Sequence, residues 1–132
     1  MSDAYSSSVS GFPNIRLRRL RYHPLVRELA REVRLTPSNF VLPLFVRAGS
    51  NIKQEIGSMP GQFQWSPDRL GEEIQAIKDL GLGGVLLFGI PEKKDWAGSD
   101  SYSDSGIIQQ GIRAVKETAP NLLVMTDVCF CE

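Results

Sequence analysis

Apolar residues in this chain follow two patterns in alternation. Phe40-Val41-Leu42-Pro43-Leu44-Phe45-Val46, Gly84 to Ile90, and Leu122 to Cys129 are short, near-continuous apolar runs, as expected of strands buried on both faces. Between them, Leu70, Ile74, Ile77 and Leu80, then Ile108, Ile112 and Val115, recur at helical spacing. Ser66-Pro67-Asp68 predicts the start of the first of these helices. It offers a capping hydroxyl, a proline in the first turn and an acid at the positive end of the dipole. Gly81 is the expected stop. Asp104 or Ser105 is the expected cap of the second helix, and Pro120 ends it. Pro43 cannot donate to a ladder, which predicts that its strand sits at an edge or at a terminus of pairing.

Strand, helix, strand, helix, strand in this order predicts an α/β fold with parallel strands and right-handed crossovers. The loops after the first two strands, from Arg47 to Trp65 and from Glu92 to about Ser103, are long and polar. The returns from helix to strand are only two or three residues. Function in such folds lies at the carboxyl ends of the strands, where the long loops are. Neither a GxGxxG turn nor a P-loop lysine follows the first strand, which removes weight from nucleotide binding. Upstream, residues 1–13 read as a Ser-rich flexible leader. Residues 14–39 read as a basic arm, extended to His23, helical from Pro24 to about Arg34, and closed by Thr36-Pro37-Ser38-Asn39. Residues 40–132 then hold three strands and two helices. Three parallel strands are too few for a closed barrel and marginal as a doubly wound sheet, so the chain reads as cut from a larger fold.

Composition narrows the setting. At 132 residues, 42% hydrophobic and with zero formal net charge, the chain is globular in type. No apolar run approaches the roughly 20 residues of a membrane span. The N-terminus lacks a basic region followed by an apolar stretch. Two cysteines one residue apart make no disulfide framework, which points to a reducing, cytoplasmic setting. Zero net charge conceals an asymmetry: residues 16–34 carry seven arginines against two glutamates, net +5, and the remainder carries −5. The arm uses arginine and no lysine, which leans toward carboxylate pairing on a protein surface and away from nucleic acid.

The candidate chemistry gathers at the last strand. Asp127, Cys129 and Cys131 are spaced by two, so an extended backbone would point all three the same way. Two thiolates at the carboxyl end of a parallel strand suit zinc, which wants three or four protein ligands. Asp127 could be a third, and a ligand beyond residue 132 is the simpler expectation. Spacing alone equally allows small buried hydrophobes, while a dithiol pair has poor geometry at adjacent same-face positions. Lys93 and Lys94, flanked by Glu92 and Asp95, read as solvated rather than as a catalytic amine. Trp65 and Trp96 read as loop anchors at the same edge, and His23 as structural.

Several ordered segments together resemble the porphobilinogen synthase (5-aminolevulinate dehydratase) family over about residues 14–132. They are Arg16-Leu17-Arg18-Arg19-Leu20-Arg21, Pro43-Leu44-Phe45-Val46, Ile56-Gly57-Ser58-Met59-Pro60-Gly61, Leu87-Phe88-Gly89-Ile90-Pro91 with Lys94-Asp95 and Gly98-Ser99, and Asp127-Val128-Cys129-Phe130-Cys131-Glu132. The resemblance implies an N-terminal arm plus the first three βα units of a TIM (β/α)8 barrel, a fold of about 250 residues. It implies condensation of two molecules of 5-aminolevulinate to porphobilinogen, with loss of two waters, on the route to tetrapyrroles and haem. Two lysines on later strands would hold the substrates, at least one as a Schiff base. Cys129 and Cys131 match the first two zinc ligands of the zinc-dependent members, with a third cysteine downstream. Asp127 matches an aspartate close to the reacting substrates. Magnesium is a possible further ion outside this stretch. The arm would embrace a neighbouring subunit in a homo-octamer. Without the Schiff-base lysines, these 132 residues are expected to be inactive alone. The competing expectation is a non-enzymatic short paralogue that binds a full-length synthase through its arm.

Overall fold

A proline in the first turn and a side-chain cap start the helix of the arm. In α1 (Pro24–Leu29), His23 Nδ1 accepts the Leu25 N–H at 3.2 Å, the structural role expected of this histidine. The helix ends at Leu29, short of the expected Arg34. Glu28 accounts for the difference: it draws Arg31 to its carboxylate at 2.6 Å, and its carbonyl accepts from Arg34 Nη2 at 2.8 Å. Those side chains wrap back on the last turn, and the backbone leaves the helix. The computed structural model describes residues 15–128 and forms two units, one through Arg34 and one from Leu35.

The second unit is built on one five-stranded sheet. Its strands are β1 (Val41–Arg47), β2 (Lys53–Glu55), β3 (Phe63–Trp65), β4 (Gly84–Ile90) and β5 (Leu123–Thr126), in the order β2-β3-β1-β4-β5. β1, β4 and β5 run parallel, as expected of successive βα units. β1 and β4 pair along their full length, from Val41 opposite Gly84 to Arg47 opposite Ile90. The hairpin of β2 and β3 interrupts the first long loop, and β3 joins β1 in parallel at Phe45 and Val46.

Pro43 lies on an interior strand, so of the two expected settings, an edge or a terminus of pairing, the second is the one observed. β3 reaches only Phe45 and Val46, so at Pro43 β1 has a partner on the β4 side alone. The missing donor is tolerated because the ladder on the other side has not begun there.

Two helices, α2 (Leu70–Leu80) and α3 (Ile107–Thr118), return the chain across the same face of the sheet. Leu70, Ile74 and Ile77 of α2 and Ile107 and Val115 of α3 meet Leu44, Val46, Trp65, Val85 and Leu87 in one core. Leu80 is exposed, since Gly81 turns the chain in a left-handed conformation directly after it. The buried stripe of α3 runs through Ile107, Gly111 and Val115, with Ile108 and Ile112 only partly covered.

The strands are not buried on both faces as their apolar runs predicted. In β1 only Leu44 and Val46 are fully buried, and in β5 Leu123 and Thr126 are exposed. Both helices cover one face, and β5 has a neighbour on one side only. On the other face Phe45 and Phe88 stack, ring centroids 5.4 Å apart.

Candidate active-site edge

The carboxyl ends of β1, β4 and β5 lie along one edge of the sheet. Beyond β5, the Asp127 N–H donates to Leu87 O at 3.1 Å, extending the ladder by one residue. Its side chain lines a crevice of about 130 Å³ that it shares with Gly89, Lys93, Lys94, Asp100 and Ile108. Cys129 and Cys131 lie outside the described residues. Among the described residues no group of three or more His, Cys, Asp or Glu side chains is placed to hold a metal ion.

The segment after β4 forms the other wall of the crevice, and two aspartates fold it. Asp95 Oδ1 accepts the N–H groups of Ala97 and Ser99, each at 3.0 Å. The Ser99 N–H leads in holding its carboxyl below the ordinary aspartate value. Asp100 Oδ2 accepts the Ile107 N–H at 2.9 Å and so satisfies a donor in the first turn of α3 from seven residues upstream. The expected local caps differ: Gly106 occupies the cap position, while Ser105 bonds to Ser103 and Asp104 offers its carbonyl to Arg113. Gly106 is required there, because a Cβ would collide with Asp100 O and Gln109 Oε1.

Lys93 and Lys94 are exposed and border the crevice. The two tryptophans part company. Trp65 is 2% exposed and anchors the loop between β1 and α2, whereas Trp96 is 100% exposed and anchors nothing. Three groups at this edge carried no legible signal in the sequence: Asp100, Arg47, and the glutamines Gln54 and Gln64 that bind Arg47. Each depends on a pairing across the fold. The even spacing of Phe45 and Arg47 along β1 was the one available clue that they share a face.

Parallel strands with crossover helices on one face, and loops gathered at the carboxyl ends, define this unit as a segment of a (β/α)8 barrel. The sequence profile of the delta-aminolevulinic acid dehydratase family matches residues 14–132. The dehydratase of Ruminiclostridium josui is 46% identical over 117 residues, 89% of this chain and 57% of that protein. That of Synechocystis sp. is 43% identical over 121 residues, 92% of this chain and 37% of that protein. The solved Toxoplasma gondii dehydratase (porphobilinogen synthase), in complex with its reaction product porphobilinogen, superposes with a TM-score of 0.80 at 32% identity. That match covers 88% of this chain and 33% of that one. This chain belongs to the delta-aminolevulinic acid dehydratase family. It spans between about a third and just over half the length of these relatives. The family is metal-dependent in general.

Proposed function

We propose that this chain supplies the N-terminal part of a lyase that condenses two molecules of 5-aminolevulinate to porphobilinogen, releasing two waters. The observation that carries the reading is the position of Asp127. It follows a parallel barrel strand, lines the crevice at the functional edge, and stands two residues before Cys-x-Cys in a chain that superposes on a product-bound dehydratase.

In this reading the carboxylate of Asp127 holds the ammonium group of a bound aminolevulinate and takes up or returns a proton there. Schiff-base lysines of later barrel strands bind the ketone carbons. The thiolates of Cys129 and Cys131 suit zinc by donor type, with a third cysteine of the complete barrel closing the set. Zinc held there supplies Lewis acidity toward a substrate carbonyl. The arginine-rich arm carries Leu17, Leu25 and Leu29 exposed, a mixed basic and apolar surface suited to a second copy of an acidic body. Assembly is then a homo-oligomer, an octamer by family likeness, in the cytoplasm. No helix among the described residues is long and apolar enough to cross a membrane.

Cys129→Ala in the full chain tests the site. Zinc measured by atomic absorption after equilibration and desalting is expected to fall to background in the variant. Equal zinc in variant and wild type would overturn the ligand assignment.

A further inference from the structure

β1 and β4 pair one for one from Val41 opposite Gly84 to Arg47 opposite Ile90, with no bulge in the register. Successive residues of a parallel strand turn their backbone groups to alternate sides, so one bond fixes the side for every residue of β1. Just beyond the strand, the Ala48 N–H donates to Ile90 O at 3.1 Å, on the β4 side. Leu42, Leu44 and Val46 therefore turn their N–H and C=O groups to β4. Val41, Pro43, Phe45 and Arg47 turn theirs to the opposite flank. The far side of β4 agrees. Leu87 O accepts the Asp127 N–H, so the odd-numbered residues of β4 turn their backbone to β5 and the even-numbered ones, Ile90 among them, to β1.

The flank of β1 away from β4 is divided. β3 occupies it at Phe45 and Val46 and reaches no closer to the amino end. The hairpin is tied down there: Arg47 Nη1 donates to Gln54 Oε1 at 2.6 Å and to Gln64 Oε1 at 3.1 Å, and the Ile52 N–H donates to Ser66 Oγ at 2.8 Å. Before Phe45, β1 offers this flank the N–H and C=O of Val41 and the C=O of Pro43, which has no N–H to give. In a closed (β/α)8 barrel every strand has a neighbour on both sides, and this flank of the first strand belongs to the last. The hairpin has already taken the upper part of that place.

We propose that the barrel closes on a short seam, in which the last strand pairs with β1 over Val41–Pro43 alone and the hairpin forms the wall above it. This rests on the reading above that the chain is the N-terminal part of a complete barrel. The seam has one backbone donor from β1, against the seven-residue ladder that joins β1 to β4. It is the joint at which the barrel opens first, and Pro43 sets its weakness. Opening parts the last strand from β1 while β1, β3 and β4 stay joined.

Hydrogen exchange of the full-length protein in rising sub-denaturing urea, read residue by residue by fragmentation mass spectrometry, tests the proposal. The amides of Leu44 and Val46, which face β4, are expected to exchange only through global unfolding. The Val41 amide is expected to be at least about tenfold less protected, through a local opening that urea barely changes. Pro43→Val places an N–H on the seam. Exchange at Val41 should then slow by about two- to tenfold, the net worth of one hydrogen bond, and the new amide should be protected with it. Leu44 and Val46 should keep their rates. Melting temperature is not the readout, because losing a proline loosens the unfolded chain as well. Pro43→Ala restores the same donor with a smaller side chain and should repeat the effect, which guards against a poor fit of valine. A wild-type Val41 amide as protected as Leu44 and Val46 overturns the proposal. So does Val41 exchange unchanged in both variants, or a residue-43 amide that exchanges as freely as in a peptide. Porphobilinogen formation by the same samples separates two failures. Activity with a fully protected Val41 amide sinks the seam alone, whereas the expected exchange pattern in an inactive protein supports the seam and sinks the lyase reading.

Discussion

Adding one methyl group at Gly89 tests how the helix layer is seated on the strand that carries the crevice. A Cβ at this position would lie 2.7 Å from Ile108 Cγ1, 2.8 Å from Ile108 Cδ1 and 3.0 Å from Ile107 Cγ2. Carbon atoms settle at about 3.5–4.0 Å, so all three contacts are well inside the repulsive range. Ile107 is 4% exposed, and a β-branched side chain in a helix has essentially one χ1 rotamer. Relief must therefore come from lifting the first turn of α3, which is also where Asp100 binds. Overpacking of this kind costs about 1–3 kcal/mol. The lower entropy of the unfolded alanine chain returns about 0.4–1 kcal/mol. The net expectation for Gly89→Ala is a loss of about 1–2 kcal/mol, read by urea unfolding with the slopes compared. Gly111→Ala is the matched control. Its Cβ would lie at ordinary contact, 3.4 Å from both Val46 methyls and 3.5 Å from Leu87 Cδ1. Alanine in a helix interior gains up to about 1 kcal/mol over glycine. A Gly89→Ala chain as stable as wild type, or more stable than Gly111→Ala, would refute the packing argument. Shortening Ile108 to alanine in the Gly89→Ala background should recover part of the loss through direct coupling.

Two further outcomes follow from buried or constrained polar groups. Ser66 is fully buried and its Oγ accepts the Ile52 N–H at 2.8 Å, so Ser66→Ala strands that donor and should cost about 1–3 kcal/mol in the same unfolding assay. Wild-type stability would show that the hydroxyl does not tie the loop to the helix start. Asp95 has its pKa lowered by the Ser99 N–H first, so its contribution to the loop is fully present above the ordinary aspartate value. That contribution is lost as pH falls through the depressed folded value. The Ala97 and Ser99 amide resonances should move together through that acid range in the wild type and stay flat in Asp95→Asn. Independent titration of the two amides would break the assignment.

Where local spacing decides an element, the sequence could be read closely. Gly84 to Ile90 is a strand over its whole predicted length, and Gly81 stops α2 as expected. Ser66 was expected to cap α2 with its side chain. Instead its carbonyl accepts the Leu70 N–H at 3.1 Å, while the side chain turns inward to hold Ile52. What escaped reading depended on distant partners. Lys53–Glu55 has no apolar alternation, and it is a strand only because β3 offers it a ladder. The cap of α3 comes from Asp100 across a 3₁₀ turn, Ser99–Tyr102, that no local rule identifies. At the site, the apolar run placed Asp127 within a strand expected to run on to Cys129, whereas β5 ends at Thr126 and Asp127 is held just beyond it by its N–H to Leu87 O. The Arg47 cluster was not legible, because its glutamines belong to a hairpin the pattern does not announce.

That hairpin also affects the order in which the protein is made. β1, β2 and β3 all lie between Val41 and Trp65, so they can pair before any crossover helix exists. At roughly 5–20 residues per second, they leave the ribosome about a second or more before β4 is complete. A newly made parallel strand with open flanks is a template for association between nascent chains. Here one flank of β1 is met at once by a partner encoded next to it. The outer rim of that partner is three residues long and carries Lys53 and Glu55. A short, charged rim resists further strand addition, so the hairpin acts as a built-in safeguard during synthesis, before the helices arrive.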